Sequence, residues 1–331
     1  MSDSFRQAAV IGVTAWGTTL AVHLARRGLP VMLVARTEAE AQALRAERRS
    51  PRLAGVVFPD ALNITTAVEA LRDADLVVFA VPSHTLAANA TAVAGDLRPD
   101  ATVLSATKGI DLATGRRMSE LLAEALPGHP LAVLSGPNLS REVVEGLPGS
   151  TVIATRDAPV DALRSAFHSR ALRVYTSEDV AGVEFGGALK NVIAIAAGMV
   201  DGFGFGNNAK ASLLTRGLAE ITRLGIAAGA EMTTFLGLAG IGDLVATSYS
   251  PLSRNRRLGE LLAGGTGLET ALVQLGETAE GATTIPAALR LAERLGVERP
   301  ITLALDRVLY HGAEPLEEVR LLMEREPRAE R

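Results

Sequence analysis

Short apolar runs rich in β-branched residues recur through the first half of the chain, and between them Ala and Leu return at helical spacing. The runs are Ala8-Ala9-Val10-Ile11, Val31 to Ala35, Leu76 to Val81, Thr102 to Ser105, Leu131 to Leu134 and Thr151 to Ala154. A strand that is apolar along its whole length is buried on both faces, and the intervening lengths suffice for crossover helices. The pattern predicts a parallel, doubly wound sheet.

After about Thr176 the texture changes. Val183 to Val200, Ala209 to Gly225, Leu268 to Gly276 and Ile285 to Leu295 carry helical periodicity, with Gly and Asn between them and few strand candidates. The chain therefore divides into an α/β domain over 1–178 and an all-helical domain over 179–331. Internal repeats and low-complexity segments are not evident, and the charged tail from Glu324 to Arg331 is expected to fray.

Composition narrows the chemistry. At 331 residues the chain is long enough for two domains and a large core. A formal charge of −4 leaves no cationic excess to hold a polyanion, so nucleic-acid binding is not expected. Cysteine is absent, which excludes disulfides and thiolate metal sites, and the 5 histidines form no HxH or HxxxH pair. Chemistry without a metal is the expectation. The polar start, Met1 to Gln7, lacks an apolar signal core, and uninterrupted apolar runs fall below the ~18 residues needed to span a bilayer, so a cytoplasmic protein is expected.

The sequence Gly186-Gly187-Ala188-Leu189-Lys190-Asn191 opens a long apolar segment. A lysine beside Val192, Ile193 and Ile195 either snorkels to solvent or faces a polar cleft, and the cleft is the reading adopted. The two glycines are expected near the start of the helix, where free N–H groups favour an anion. The first strand-to-helix turn, Gly12-Val13-Thr14-Ala15-Trp16-Gly17, sits where a dinucleotide pyrophosphate meets a helix N-terminus, but Thr14 occupies the middle glycine of G-x-G-x-x-G. Its side chain must point away or donate to a phosphate oxygen. Arg36 stands at the end of the second strand where an acid would read a ribose hydroxyl, and a guanidinium there suits a 2′-phosphate, favouring NADP over NAD. Glu38 is read as an acid on the first turn of the next helix.

Further loops fall at the carboxyl ends of strands, where open α/β sheets bind ligands. They are Val81-Pro82-Ser83, Ser105-Ala106-Thr107-Lys108-Gly109, and Ser135-Gly136-Pro137-Asn138-Leu139-Ser140-Arg141, with Pro137 expected in a first helical turn. Lys108 is placed to approach a cofactor or an anionic substrate. In the helical half, Gly240-Ile241-Gly242-Asp243-Leu244 and Ser253-Arg254-Asn255-Arg256-Arg257 bracket Thr247. They offer an acid, a hydroxyl and an arginine fork for one small oxygen-rich ligand, with Arg254 and Asn255 suited to a phosphate. Arg256 and Arg257 are expected on a solvated face.

Taken in order from about Ala8 to Ile301, these motifs closely resemble bacterial NAD(P)-dependent glycerol-3-phosphate dehydrogenases. The shared set also includes Asn-Ala-Lys-Ala at 208–211 and Ala-Glu-Gly at 279–281. The resemblance implies a Rossmann-type domain followed by a helical domain, a homodimer, and reduction of dihydroxyacetone phosphate to sn-glycerol 3-phosphate for phospholipid synthesis with NADPH or NADH. By matching motif it makes Lys190 the proton donor and acceptor. It puts Lys108, Gly136, Asn138, Asp243, Ser253, Arg254 and Asn255 around the substrate. It puts Gly12, Ala15, Trp16, Gly17, Arg36, Lys108, Ser140, Arg254 and Glu280 at cofactor contacts. Val13, Thr14 and Ala15 depart from the family's usual Gly-Ala-Gly-Ser-Trp-Gly turn, and Asn138-Leu139-Ser140 and Pro148-Gly149-Ser150 replace its common Ser-Phe-Ala and Pro-Thr-Ala. An active enzyme with altered cofactor contacts is the expectation. A ketopantoate-reductase-like or β-hydroxyacid dehydrogenase and a noncatalytic cofactor-binding paralogue are the alternatives. Lys108 and Arg254 should lower the Lys190 pKa and Asp243 should raise it, leaving the sign open.

Overall fold

The computed structural model describes residues 4–276 and 279–326. The tail expected to fray lies in large part, at 327–331, outside the described residues. The strands are β1 (Ala8–Ile11), β2 (Val31–Val34), β3 (Leu62–Thr65), β4 (Leu76–Phe79), β5 (Thr102–Ser105), β6 (Leu131–Ser135), β7 (Gly149–Thr155) and β8 (Leu172–Ser177). They form an 8-stranded sheet in the order β3-β2-β1-β4-β5-β6-β7-β8. Around it run α1 (Ala15–Arg26), α2 (Glu38–Glu47), α3 (Leu86–Val93), α4 (Met118–Ala125), α5 (Ser140–Glu145) and α6 (Val160–Phe167).

Burial of both sheet faces is visible within single strands. Ala8 and Val10 pack with Leu20 and Leu24 of α1 and Phe167 of α6, whereas Ala9 and Ile11 pack with Leu86 and Ala90 of α3 and Leu122 of α4. Successive side chains point to opposite faces, so a strand between two helical layers must be apolar at every position. The two strands absent from the apolar-run reading, β3 and β8, are the sheet edges. Asn63, Arg173 and Tyr175 face outward on them, and polar outward residues break the run.

One strand runs against the rest. β7 pairs antiparallel with β6 and parallel with β8, so the sheet is parallel-dominated rather than wholly parallel. Both faces of β7 are still covered, and its sequence carries no mark of its direction.

The second half consists of α7 (Val180–Gly202), α8 (Gly206–Ala227), α9 (Met232–Phe235), a π-turn at Leu238–Gly242, α10 (Asp243–Tyr249), α11 (Arg254–Ala263), α12 (Leu268–Leu275), α13 (Glu280–Leu295), α14 (Pro300–Tyr310) and α15 (Pro315–Met323). The axis of this half is α7. Its hydropathy and 23-residue length would let it cross a bilayer, but 94% of its most apolar window is buried inside the protein. The charged and amide residues Glu184, Lys190 and Asn191 interrupt the apolar run without interrupting the helix.

Glycines let neighbouring helices close on α7. A Cβ at Gly198 would lie 1.9 Å from the Arg256 carbonyl oxygen, and one at Gly259 would lie 1.9 Å from that of Ile195. Backbone thus meets backbone, and the start of α11 is drawn beside the middle of α7. Glu184 of α7 joins the two halves directly: it accepts from Ser119 N at 2.7 Å, Ser119 Oγ at 2.6 Å and Arg117 Nη1 at 2.9 Å. Burial pushes its carboxyl up, against the pull of Arg117 and Ser119.

The close crossing yields a test. Gly259→Ala should cost about 1–3 kcal/mol in urea unfolding, since the new methyl group meets immovable backbone. Gly95→Ala, where a Cβ meets nothing within 4 Å, should change stability by less than about 0.5 kcal/mol.

Candidate functional site

The carboxyl ends of β1, β4, β5 and β6 face the helical half, and the sheet's strand order reverses between β1 and β4. A crevice opens at such a point. After β1, Gly12 takes φ +115°, and a Cβ there would lie 2.7 Å from the Ala80 carbonyl oxygen. Both conformation and space demand glycine. Position 14 makes no such demand, because Thr14 has ordinary extended angles of −77° and 166°. Its hydroxyl donates to Ala80 O at 2.8 Å and accepts from Gly17 N at 2.9 Å. The side chain points away from the crevice, capping α1 and tying the loop after β1 to the end of β4.

The same turn fits a dinucleotide. Thr14 uses the amide of Gly17, while no hydrogen bond from the amides of Ala15 and Trp16 occurs among the described residues. The indole Nε1 of Trp16 is buried and has no protein partner among them. Free amides at the start of a 12-residue helix attract a pyrophosphate. Arg36 is exposed just after β2, and Glu38 is turned aside, bound to Arg45 at 2.8 Å and to Thr66 at 2.8 Å on the first turn of α2. The acid therefore does not compete for the position that Arg36 overlooks.

Lys108 follows β5. Its loop is anchored by Thr107 Oγ1, which donates to Val81 O at 2.9 Å. The Lys108 ammonium donates to Gly136 O at 3.0 Å and to Asp243 Oδ2 at 2.6 Å. Gly136 itself takes φ +143°. Asn138 is not a helix cap: it donates to Ser150 O at 3.2 Å and accepts from Thr151 Oγ1 at 2.9 Å, fastening the loop after β6 to β7. Pro137 lies outside α5, which begins at Ser140, so it does not occupy a first helical turn. The Ser140 carbonyl accepts from Thr19 Oγ1 at 3.2 Å.

Gly186 and Gly187 are not at a helix start. They lie in the second turn of α7 and have two different close neighbours, the Ala239 carbonyl for Gly186 and the Ser135 hydroxyl for Gly187. Their smallness serves helix-to-sheet approach, and no free N–H groups are exposed there. This approach brings Lys190, one turn further on, level with the loops after β5 and β6.

Lys190 is 5% exposed. Its ammonium pairs with Asp243 Oδ1 at 3.0 Å and donates to Thr247 Oγ1, which in turn donates to Asp243 Oδ1 at 3.1 Å. Asp243 and Thr247 are four residues apart on α10 and so share one face. Burial lowers the Lys190 pKa from 10.5 to about 8; Lys108 and Arg254 push in the same direction and Asp243 opposes them. The sign left open by the sequence is thus negative. For Asp243 burial favours the neutral acid, but Lys108 and Lys190 outweigh it and hold the carboxyl below its ordinary value.

The remaining wall comes from the starts of α11 and α13. Ser253 caps α11, accepting from Arg256 N at 3.2 Å, and Arg254 takes the first helical position. Asn255 bridges three helices: it donates to Asn191 Oδ1 at 2.9 Å and accepts from Gly281 N at 2.9 Å. Glu280 opens α13 and accepts from Ser83 Oγ at 2.8 Å; burial raises its carboxyl pKa, with Ser83 and Arg254 opposing. Arg256 departs from the solvated face expected of it and pairs with Asp201 at 2.7 Å and Glu260 at 2.8 Å, whereas Arg257 is exposed.

Lys108, Lys190, Asp243 and Gly136 are therefore linked directly, and Arg254 acts electrostatically on Lys190 and Glu280. Thr247, the hydroxyl that the motif reading offered beside Asp243, joins them through Lys190, and Asn191, to which that reading gave no site role, adjoins them through Asn255. Their positions give the clue: Thr247 is one turn after Asp243, and Asn191 adjoins Lys190. The cluster places cations beside a carboxylate that only partly neutralises them, at the mouth of a dinucleotide-type turn. It suits an anionic substrate that receives a proton.

Comparison with known proteins agrees. Residues 7–160 match the N-terminal domain and residues 179–320 the C-terminal domain of NAD-dependent glycerol-3-phosphate dehydrogenase. Glycerol-3-phosphate dehydrogenase (NAD(P)+) of Parafrankia sp. is 50% identical over 327 residues, covering 97% of this chain and 98% of that protein. Its counterpart in Streptomyces griseus is 45% identical over 98% of each chain. The crystal structure of glycerol-3-phosphate dehydrogenase from Coxiella burnetii superposes with a TM-score of 0.94 at 34% identity, covering 98% of this chain and 100% of that one. A ketopantoate reductase from Ralstonia eutropha shares the fold at a TM-score of 0.61 and 20% identity. The Rossmann-type sheet with its helical partner, and the matches across both halves, make this chain a member of the NAD(P)-dependent glycerol-3-phosphate dehydrogenase family.

Proposed function

We propose that the protein reversibly reduces dihydroxyacetone phosphate to sn-glycerol 3-phosphate, preferring NADPH to NADH, as a cytoplasmic homodimer that is not inserted in a membrane and feeds glycerophospholipid synthesis. Residues 1–178 hold the dinucleotide and residues 179–331 supply most of the substrate chemistry. The observation that carries the reading is the buried Lys190 ammonium, bound to Asp243 and Thr247 beside Lys108. Arg36 favours the 2′-phosphate of NADPH. Gly12, Ala15, Trp16 and Gly17 would hold the pyrophosphate side, with Ser140, Lys108, Arg254 and Glu280 completing the cofactor wall.

The reduced nicotinamide, held by these residues, would supply hydride to the ketone carbon. Negative charge then grows on the carbonyl oxygen, and Lys190 stabilises it where it develops and passes a proton to it. Asp243 and Thr247 fix the ammonium in place. With a pKa of about 8, Lys190 is mainly charged at neutral pH yet able to release its proton. Arg254, with Ser253, Asn255, Lys108, Gly136 and Asn138 around the substrate, anchors the phosphate and directs its binding energy to positioning the ketone.

An assay of reduced-nicotinamide absorbance should show turnover with dihydroxyacetone phosphate at least ~10²-fold better than with dihydroxyacetone or ketopantoate, and Lys190→Ala should lose at least ~10²-fold. Comparable turnover of the unphosphorylated ketone would remove the phosphate assignment, and a near-wild-type Lys190→Ala would remove the proton donor. Reduction needs protonated Lys190, so kcat/KM for the ketone should fall as pH rises through about 8, while the reverse oxidation rises over the same range. Asp243→Asn removes the carboxylate that raises this pKa, so a pH–rate profile should place its fall at lower pH. Thr14→Gly should leave NADPH affinity within about threefold, read from quenching of the single Trp16, because the threonine side chain faces away from the crevice. Thr14→Val loses both bonds and should cost roughly 1–2 kcal/mol in urea unfolding.

A further inference from the structure

An ion cluster outside the crevice grips the Arg254-bearing segment at both ends. Lys210 of α8 is 4% exposed, and its ammonium pairs with the two oxygens of Asp201 at 3.0 and 2.7 Å. The same ammonium lies 4.2 Å from the centre of the Tyr249 ring. Asp201, near the end of α7, also accepts from Arg256 Nε at 2.7 Å. Tyr249 is the last residue of α10, and Arg256 lies in the first turn of α11. The short connection between them leads to Ser253 and Arg254. One cation thus holds the residue before this connection, and its counter-ion holds the residue after it.

We infer that Lys210 and Asp201 are positioning residues that clamp the Tyr249-to-Arg256 segment and thereby aim Arg254 at the substrate phosphate; this rests on the reading given under Proposed function. The physical case lies in the geometry. α10 carries Asp243 and Thr247 and α11 carries Arg254, so the connection between them helps set the separation of these groups, together with the packing of α11 on α7. Within it the local bonds are Ser253 N to Ser250 O at 3.1 Å and Leu252 N to Ser250 Oγ at 3.1 Å. Those bonds shape the turn, and just after it Asn255 ties the start of α11 to Asn191 and Gly281. The clamp adds a hold on both flanks of the connection, through an ion pair and a cation–π contact made by an ammonium that is itself buried. Asp201 is held below the usual carboxylate range, since Lys210 and Arg256 outweigh the effect of burial, so this carboxylate stays ionised at neutral pH. Displacement of an anchoring group by about 1 Å is enough to cost up to ~10²-fold in kcat/KM.

The test compares wild type with Lys210→Met, Asp201→Asn, Tyr249→Leu and Tyr249→Phe, measuring kcat and KM for dihydroxyacetone phosphate, KM for NADPH, the ratio of kcat/KM between dihydroxyacetone phosphate and dihydroxyacetone, and Tm. Lys210→Met should raise KM for the phosphorylated ketone about tenfold, with kcat and the NADPH KM within about threefold, so that the ratio falls. Tyr249→Leu should reproduce part of that loss and Tyr249→Phe should restore wild-type values, because a phenyl ring keeps the cation–π face. Tyr249 is half exposed, so its variants report even where Lys210→Met fails to fold. A lower Tm with an unchanged ratio in Tyr249→Leu and in the folded charge variants would overturn the clamp and leave the catalytic reading intact. A wild-type enzyme that does not prefer the phosphorylated ketone would overturn both.

Discussion

The site depends on one buried carboxylate shared by two ammonium groups. Asp243 accepts from Lys108, which belongs to the sheet half, and from Lys190, which belongs to the helical half. Neither lysine could be buried so deeply without an anion, and Asp243 could not stay ionised without them. The three groups stand or fall together. They also pin the two halves across the crevice, in company with the contact of Glu184 with Ser119 and Arg117. Structural attachment and the electrostatics proposed for catalysis are thus the same interaction, which gives a reason for a charge with a displaced pKa to sit in the middle of an apolar helix.

Much of this was legible in the residues. Interior strands announced themselves because burial on both faces demands apolar residues at every position, and the helical half because α13 and its neighbours keep a one-sided apolar face. The edge strands β3 and β8 escaped because their outward residues, such as Asn63 and Arg173, break the run. The reversed β7 escaped because direction leaves no trace in a strand covered on both sides. The motifs pointed to Lys190, Lys108 and Asp243, which the fold brings into contact, but they misplaced Gly186 and Gly187. A glycine that relaxes the backbone and a glycine that makes room for Ser135 look alike in a sequence; only the packing partner tells them apart.

Thr14 shows a similar ambiguity resolved by geometry. The middle glycine of the nucleotide-binding turn is expected for its lack of bulk, yet the extended backbone at this position accepts any residue. A threonine is tolerated because a neighbouring carbonyl, that of Ala80, lies where its hydroxyl can reach it. The substitution exchanges an open turn for a self-supporting one, and the helix amides nearest the crevice remain available.

The reversal at β7 carries a metric consequence for Lys190. Because β7 and β8 descend from the ligand side, the chain enters α7 at the far rim of the sheet and must climb back beside β6, with Val183 clustered with Val133 and Gly187 against Ser135. A strand advances about 3.3 Å per residue and a helix about 1.5 Å, so two steps along β6 match about four along α7. The lysine sits at the height where that ascent first clears the last strand residue. Lengthening the strands by one position would strand the amine a helical half-turn too low, so insertions in the two elements must be matched at roughly two helical residues for each strand residue.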